Sequence, residues 1–171
     1  MWLNKQKKYK KIAFLDRDGV INKKAEEHHY IDTVENFEFN QGIFDVLTYL
    51  KKEGYEFIVV TNQRGIARGV YSLEMLDTIH RYMMKGLQEK GFSVLDILFC
   101  PHENNVCDCR KPKPGLLKEA SMRHPIIFAN SLLISDSYED IVMGKEFGVG
   151  ATYFVRSDKP EDFLLMIDKS S

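Results

Sequence analysis

The segment KIAFLDRDGV, residues 11–20, joins a short apolar run to two acidic side chains. The run KIAFL at Lys11–Leu15 is typical of a buried strand, because its apolar residues are continuous rather than alternating. Asp16 and Asp18 follow the strand at once, and a turn at Gly19 can aim both carboxylates into one site. The segment therefore predicts a buried strand with a pair of carboxylates at its carboxyl end.

Strand and helix patterns alternate along the rest of the chain. Apolar and β-branched runs predict further strands at Phe57–Val60, Asp96–Phe99, Ser131–Ile134 and Ala151–Val155. Apolar spacing and capping residues predict helices at Gln41–Glu53, Ser72–Lys90, Pro114–Arg123 and Tyr138–Phe147. This alternation predicts an α/β fold, a Rossmann-like parallel sheet with helices on both faces. No insertion is large enough for a cap domain, so we expect residues 1–171 to form a single domain.

Composition and charge limit the classes of protein to which the chain can belong. Its 171 residues are 44% hydrophobic and 29% charged, which is typical of one soluble globular domain. The formal net charge of −1 argues against a general nucleic-acid binder. No apolar stretch has membrane-spanning length, and the charged N-terminus lacks a signal-peptide core. We therefore expect a cytoplasmic monomer that acts on a small molecule and binds neither nucleic acid nor membrane.

Polar side chains follow four of the predicted strands, at the edge where open parallel sheets bind ligands. The segments are DRD at 16–18, TNQ at 61–63, CPH at 100–102 and SDS at 135–137. Asp16 and Asp18 would repel each other unless a cation lay between them, and Mg²⁺ prefers such oxygen ligands. Asp136 supplies a third acid, and its neighbour Asp140 can support it. The sequence therefore predicts a magnesium site at this edge.

A phosphate group beside these acids needs positive charge and hydrogen-bond donors. Lys111 and Arg110 follow the third strand and can supply the charge. Thr61 offers a hydroxyl, and backbone N–H groups around Asn62 can join it. A lone Asp-x-Asp is more often a solvated turn than a catalytic site, so the prediction depends on the agreement among the strand ends.

These motifs resemble those of two nested protein families. The set DRDGVI at 16–21, Thr61-Asn62, Lys111 and Asp136 resembles the four-motif set of haloacid-dehalogenase-type phosphatases. More narrowly, TNQRGIARG at 61–69 and CRKPKPG at 109–115 resemble the D-glycero-D-manno-heptose 1,7-bisphosphate 7-phosphatases. The resemblance covers nearly the whole chain.

The resemblance implies a catalytic role for each matching residue. Asp16 would be the nucleophile that forms an aspartyl phosphate, and Asp18 would be the general acid and base. Magnesium would bind to Asp16, to the backbone carbonyl of Asp18 and to Asp136. Thr61 and Lys111 would hold the transferring phosphoryl group.

The resemblance also implies a substrate. The enzyme would remove the 7-phosphate of D-glycero-D-manno-heptose 1,7-bisphosphate, in nucleotide-heptose biosynthesis for surface polysaccharide. The substrate-binding residues would be Asn62, Gln63, Arg64 and Arg110. The chain departs from the family in two places. It is about three residues longer between Asn22 and Tyr30, and Ser137 lies where the family often has a lysine.

The second phosphate of such a bisphosphate needs its own positive charge. Arg64 and Arg68 follow the second strand and Arg110 follows the third, so they can line the mouth of the site. A planar guanidinium can bind two phosphate oxygens at once. We therefore expect the bisphosphate to be preferred over monophosphates.

All three cysteines of the chain lie within ten residues of one another. Cys100, His102, Cys107 and Cys109 supply four ligands of the type that tetrahedral zinc prefers. Residues two apart on extended chain face the same way, so each pair can converge on one ion. The alternative is a set of buried thiols with an incidental histidine. We expect structural zinc, because four protein ligands close the site and the next residues are Arg110 and Lys111.

Two other functions remain open on sequence grounds. A histidinol-phosphate phosphatase would share the site, and the short loop between His102 and Cys107 resembles the loop of such enzymes. A phospho-acceptor receiver domain also uses Asp, Thr, Lys and Mg²⁺ on a parallel sheet. Its motifs follow a different order along the chain, with the phosphorylated aspartate on a middle strand, and it has no zinc cluster. A zinc-dependent nucleic-acid module is disfavoured by the net charge. The remaining histidines, predicted to be surface or structural residues, are His28, His29, His80 and His124.

Overall fold

The computed structural model describes residues 8–169, and its centre is a parallel sheet. The sheet has five strands in the order β3-β2-β1-β4-β5, and every neighbouring pair is parallel. The strands are β1 (Ile12–Leu15), β2 (Glu56–Asn62), β3 (Val94–Cys100), β4 (Leu132–Ser135) and β5 (Ala151–Phe154). The α/β Rossmann-like prediction is confirmed. A single domain over residues 1–171 stays a prediction, since residues 1–7 and 170–171 lie outside the described part.

Five α-helices and one 3₁₀ turn connect or follow the strands in the described part of the chain. They are α1 (Ile43–Lys52), α2 (Leu73–Glu89), α3 (Gly115–Arg123), α4 (Tyr138–Phe147), α5 (Asp162–Asp168) and the 3₁₀ turn Phe128–Asn130. The first four correspond to the predicted helices. The sequence patterns do not predict α5, because a helix of seven residues is too short to show apolar periodicity.

The helix ends follow local capping chemistry. The side chain of Ser72 accepts a hydrogen bond of 3.1 Å from the Met75 N–H and caps α2. Gly148 ends α4 with a φ of 99°, a left-handed conformation that favours glycine. The first helix begins at Ile43, later than predicted, because the Ile43 N–H is bonded to the Asn40 carbonyl in a preceding turn.

Alternate side chains of the sheet pack into two separate cores. Leu15 of β1 and Val59 of β2 pack on the face covered by α1, α2 and α5. Phe14 and Ile58 pack on the opposite face, where α3 and α4 lie. Successive side chains of a strand point to opposite faces, so the continuous apolar runs reflect burial on both sides. Helices on both faces are therefore confirmed.

The strand order determines where polar side chains meet. The central strand β1 lies between β2 and β4, so the residues that follow these three parallel strands share one edge of the sheet. Within residues 8–169 no separate cap domain covers this edge, and the long β1–α1 connection carries isolated bridges at Asp18–Asn22 and Asn22–Phe39. None of the helices in residues 8–169 has the length and apolarity needed to cross a membrane.

Leu50 tests the packing of the first core. This residue is fully buried in the last turn of α1, which lies away from the carboxyl edge because the helix runs back along the sheet. Leu50→Ala should lower the free energy of unfolding by about 3 kcal/mol, measured by urea denaturation. Leu165→Ala makes the same chemical change on the exposed face of α5, where the side chain is 59% exposed. It should cost less than about 0.5 kcal/mol. Equal losses would contradict the assigned core.

Candidate active site

Asp16 lies directly after β1 and is almost completely buried, with 8% of its surface exposed. Its Oδ1 is 3.2 Å from the ammonium nitrogen of Lys111, and its Oδ2 accepts a hydrogen bond of 3.2 Å from the Ser135 hydroxyl. Burial and the neighbouring acids raise the pKa of the Asp16 carboxyl to about 6, while Lys111 opposes the rise. A bound cation would favour the charged form that a nucleophile needs.

Lys111 is a buried cation surrounded by oxygen atoms. Its Nζ lies 2.6 Å from Asp140 Oδ2 and donates to the Val60 carbonyl at 3.1 Å. Burial alone would lower the pKa of Lys111, but the charges of Asp16 and Asp140 raise it above its ordinary value. The two aspartates therefore stabilise the charged ammonium of the lysine. Asp140, expected to support the neighbouring acid, instead holds this lysine.

Asn62 joins the loop that carries Lys111 to the end of β2. Its side-chain amide donates to the Lys111 carbonyl at 3.1 Å, and its side-chain carbonyl accepts from the Lys111 N–H at 3.0 Å. This reciprocal pair fixes the lysine backbone. Asn62 was predicted to bind substrate, and in the structure its amide group is bonded to the protein backbone.

Asp18 lies two residues after Asp16, and three side chains donate hydrogen bonds to its carboxylate. Arg17 donates to its Oδ1 at 2.8 Å, Asn22 donates to the same oxygen at 2.9 Å, and Gln63 donates to Oδ2 at 3.1 Å. Burial alone would raise the pKa of Asp18, but Arg17 and these hydrogen bonds hold it below its ordinary value. The carboxylate is therefore ionised while these donors surround it.

Thr61 and Gln63 form a short hydrogen-bonded chain with Tyr71. The Gln63 amide donates to the Thr61 hydroxyl at 2.9 Å, and the Tyr71 hydroxyl donates to the Gln63 carbonyl oxygen at 2.5 Å. Gly65 makes room for the tyrosine ring, because a Cβ there would lie 2.1 Å from it. The predicted phosphate-binding Thr61 therefore has a fixed orientation.

Asp136 lies after β4, and its side chain is 1% exposed. Its Oδ2 accepts a hydrogen bond of 2.9 Å from the Lys24 ammonium and another from the Ser157 hydroxyl. A Cβ at Gly19 would lie 2.3 Å from the same oxygen, and Gly19 has a φ of +88°, so this position favours glycine for two reasons.

The acidic groups fit the ligand preferences of magnesium. Asp16 and Asp136 both line the cleft, and the charge of Asp136 contributes to the raised pKa of Asp16. Carboxylates from two strand ends, with a backbone carbonyl between them in sequence, are the oxygen donors that Mg²⁺ prefers. The donor chemistry therefore matches the predicted ligands Asp16, Asp18 and Asp136.

Lys24 and Ser135 are among the residues that touch this site without a role in the sequence reasoning. Lys24 lies in the long loop after β1, and no pattern in that loop predicts where its side chain points. Ser135 is the last residue of β4, and its hydroxyl also donates to Asp140 at 2.8 Å. A hydroxyl directly before the acidic residue was a usable signal, whereas the contact of Lys24 depends on tertiary structure alone.

The three cysteines and His102 converge on one point. The sulfur of Cys100 lies 3.0 Å from that of Cys109 and 3.5 Å from that of Cys107, and the ligand atoms of all four residues lie within 4.8 Å of one another. Tetrahedral zinc with bonds of about 2.3 Å to sulfur separates such atoms by about 3.8 Å. The sulfur atoms lie slightly closer together than that, so the cluster needs only a small expansion to surround one ion in a closed site.

The segment that carries the cysteine and histidine cluster also orients arginine side chains. Arg110 donates to Asn104 Oδ1 at 2.7 Å and to the His102 carbonyl at 3.4 Å. Glu103 joins Arg64 at 3.4 Å and Arg68 at 2.7 Å. Hydrogen bonding to Arg68 lowers the pKa of Glu103 to about 2. The charge of Glu103 therefore already compensates two of the arginines that were predicted to bind the second phosphate.

The predicted catalytic, substrate-binding and magnesium-ligand residues line one open cleft of about 760 Å³. It contains Asp16, Asp18, Thr61, Asn62, Gln63 and Asp136. Its lysine and arginine side chains are Lys24, Arg64, Arg110, Lys111 and Lys113. Arg68 is not one of the lining residues and instead donates to the Tyr30 hydroxyl at 3.3 Å. Seven acidic side chains line the same cleft, so a phosphate ligand would need these cations together with a bound metal ion.

Known proteins are similar to this chain in both sequence and fold. A family model described as polynucleotide kinase 3 phosphatase matches residues 11–137. A D-glycero-alpha-D-manno-heptose-1,7-bisphosphate 7-phosphatase of Photorhabdus laumondii is 38% identical over 158 residues, which are 88% of this chain and 85% of that protein. A D-glycero-beta-D-manno-heptose-1,7-bisphosphate 7-phosphatase of Escherichia coli K12 is 39% identical over 155 residues, covering 86% and 80%.

A solved structure agrees with this relationship. The D,D-heptose 1,7-bisphosphate phosphatase of B. bronchiseptica, crystallised with magnesium and phosphate, superposes with a TM-score of 0.78 at 27% identity. The match covers 91% of this chain and 86% of that one. The family resemblance drawn from the motifs is confirmed. This chain belongs to the D-glycero-D-manno-heptose 1,7-bisphosphate 7-phosphatase family of haloacid-dehalogenase-type phosphatases.

Proposed function

We propose that this protein removes the 7-phosphate of D-glycero-D-manno-heptose 1,7-bisphosphate in nucleotide-heptose biosynthesis for surface polysaccharide. As a member of its family, the chain is a phosphoric monoester hydrolase. The observation that carries the proposal is the buried Asp16 carboxylate, 3.2 Å from a buried lysine, in a cleft that four further lysine and arginine side chains also line. The relatives named above have this heptose activity, so the histidinol-phosphate and receiver-domain alternatives are not favoured.

Asp16 and Asp18 carry out different steps of the proposed reaction. Asp16 attacks phosphorus in line, and the bond between phosphorus and the sugar oxygen breaks to leave an aspartyl phosphate. Asp18 gives a proton to the departing oxygen and later takes one from the water that hydrolyses the intermediate. The charge of an arriving phosphate raises the proton affinity of Asp18 against the pull of Arg17.

Charge neutralisation is shared between protein groups and metal. Lys111, fixed by Asp140 and Asn62, lies where it can bind the phosphoryl oxygens together with the Thr61 hydroxyl. Magnesium bound to Asp16, the Asp18 carbonyl and Asp136 would supply Lewis-acid neutralisation of phosphate charge.

The four-residue thiol and imidazole cluster would hold structural zinc. The cluster is followed immediately by Arg110 and Lys111, so the metal would fix the loop that aims both cations. Free thiols at such a site persist in a reducing compartment, which supports a cytoplasmic location. A complete site within one chain supports a monomer, and the net charge of −1 disfavours a polynucleotide substrate.

The nucleophile assignment predicts the effect of removing a single charge. Asp16→Asn should abolish phosphate release, because the amide cannot form the acyl phosphate. Asp18→Asn should lower kcat by about a hundredfold or more through loss of proton transfer. Asp45→Asn, at an exposed aspartate in the first turn of α1, is the matched control and should keep full activity. Turnover by purified Asp16→Asn protein would refute the mechanism.

The zinc assignment predicts about one tightly bound zinc per chain, distinct from exchangeable magnesium. Cys107→Ser and Cys109→Ser should lose this zinc and lower both stability and activity, since the Arg110–Lys111 loop loses its anchor. His124→Gln, which removes a histidine bonded to Asp96, should retain the metal. Elemental analysis of protein purified without added metal measures the zinc content per chain. A zinc-free, fully active wild type would contradict the assignment.

The substrate assignment predicts different roles for two arginines. Arg110 lines the cleft, so Arg110→Gln should lower kcat/KM for the heptose bisphosphate by about tenfold and reduce its preference over the 7-monophosphate. Arg68→Gln should leave that preference unchanged, because Arg68 is paired with Glu103. Raising the ionic strength should shrink the preference of the wild type. A higher kcat/KM for histidinol phosphate than for the heptose would overturn the assignment.

A further inference from the structure

Arg17 is a charged side chain that is completely buried, with 0% of its surface exposed. It lies between the two proposed catalytic aspartates in sequence, but it is not one of the residues that line the cleft. One edge of the group donates to Asp18 Oδ1, from Nε at 3.1 Å and from Nη2 at 2.8 Å. The remaining nitrogen, Nη1, lies 3.3 Å from Nε2 of His80 in the middle of α2.

The chemistry of the two groups determines which one donates. A guanidinium has N–H donors and no acceptor, so Nε2 of His80 must be unprotonated and accept from Arg17, which places the ring proton on Nδ1. His80 is 6% exposed, and its ring packs edge-on against Phe99 at 6.0 Å. Burial, with a smaller contribution from Arg17, lowers the pKa of His80 to about 3. The imidazole is therefore neutral and serves as a fixed acceptor.

The acceptor matters because Arg17 is one of three supports of Asp18. Asn22 and Gln63 hold the carboxylate from other directions, but only the guanidinium presents two nitrogen atoms to Oδ1. A buried Nη1 without an acceptor would carry a desolvation cost. The guanidinium could reduce that cost by rotating, and the rotation would move both nitrogen atoms that orient Asp18.

We propose that His80 is a positioning residue for proton transfer, which acts through Arg17 to hold the Asp18 carboxylate beside the departing oxygen. This inference rests on the proposed function, in which Asp18 protonates the leaving group. It makes His80, predicted from sequence to be a surface or structural residue, part of the catalytic support.

Two substitutions at His80 keep a polar side chain but differ in reach. The side-chain oxygen of glutamine can take the place of Nε2, whereas that of asparagine is too short and lies near the position of Nδ1. His80→Asn should therefore lose the bond to Arg17 and His80→Gln should keep it. Met83→Leu, at a fully buried apolar position one turn along α2, controls for changes in helix packing.

The choice of substrate separates positioning from general damage. When the heptose phosphate reacts, the electron pair of the broken P–O bond passes to an alkoxide oxygen that needs the proton of Asp18. When p-nitrophenyl phosphate reacts, the pair leaves on a nitrophenolate that needs no proton. The ratio kcat/KM reports the steps up to formation of the aspartyl phosphate, so it isolates this difference.

We expect His80→Asn to lower kcat/KM for the heptose bisphosphate by about tenfold, as a misplaced catalytic group does. The same variant should change kcat/KM for p-nitrophenyl phosphate by less than about twofold, since that step needs no acid. His80→Gln and Met83→Leu should resemble the wild type with both substrates. An equal loss on both substrates, or no loss in His80→Asn, would overturn the proposal.

Asp18→Asn serves as the reference for leaving-group selectivity. If Asp18→Asn damages both substrates equally, the acid role in the proposed function is wrong. If Asp18→Asn lowers kcat/KM more for the heptose bisphosphate than for p-nitrophenyl phosphate and His80→Asn does not, only the inference about His80 fails. A measurement on wild-type protein covers the case in which His80→Asn does not fold. Proton–nitrogen correlation NMR should show the His80 ring protonated on Nδ1, and a proton on Nε2 would overturn the proposal.

Discussion

The buried contact between Lys111 and the carboxylates of Asp16 and Asp140 is the interaction on which the rest of the site depends. Removing one partner would leave an uncompensated charge in the protein interior, which costs more than an ordinary hydrogen bond. The two aspartates follow different strands, β1 and β4, while the lysine arrives from the loop after β3. The lysine ammonium therefore joins the segments that follow β1, β3 and β4 at the carboxyl edge of the sheet. It also offsets the negative charge that would otherwise repel an incoming phosphate.

A loop without regular structure must be held in place before it can supply such a lysine. Asn62 fixes the Lys111 backbone from one side, and the cysteine and histidine cluster precedes it directly. Gly115, at the start of α3, packs so closely on this segment that a Cβ would lie 2.2 Å from the Asp108 carbonyl oxygen. These three constraints fix the loop in the way that a helix or strand fixes its residues elsewhere, which accounts for a cysteine and histidine cluster directly before Lys111.

Acidic partners decide which cations remain available to substrate. Glu103 compensates Arg64 and Arg68, whereas Arg110 is oriented by the neutral amide of Asn104 and a backbone carbonyl. Arg110 therefore keeps its full charge for a ligand. The neutral His80 follows the same logic on the other side of the site, because it satisfies Arg17 without reducing the charge that Arg17 offers to Asp18. Neutral acceptors thus orient both guanidinium groups without compensating their charge.

The sequence by itself determined the fold class, the four strand ends that carry chemistry, and the cysteine cluster, because these depend on local periodicity and short spacing. It could not determine that Asn62 holds a backbone, that Arg68 is bonded to Glu103, or that Lys24 reaches Asp136. Those contacts join residues from different loops, and no local pattern encodes the distance between them. The contact between His80 and Arg17 could not be predicted for the same reason. The sequence predicts only a surface or structural histidine at position 80, and only the tertiary structure places its unprotonated nitrogen against the buried Arg17 that is bonded to Asp18.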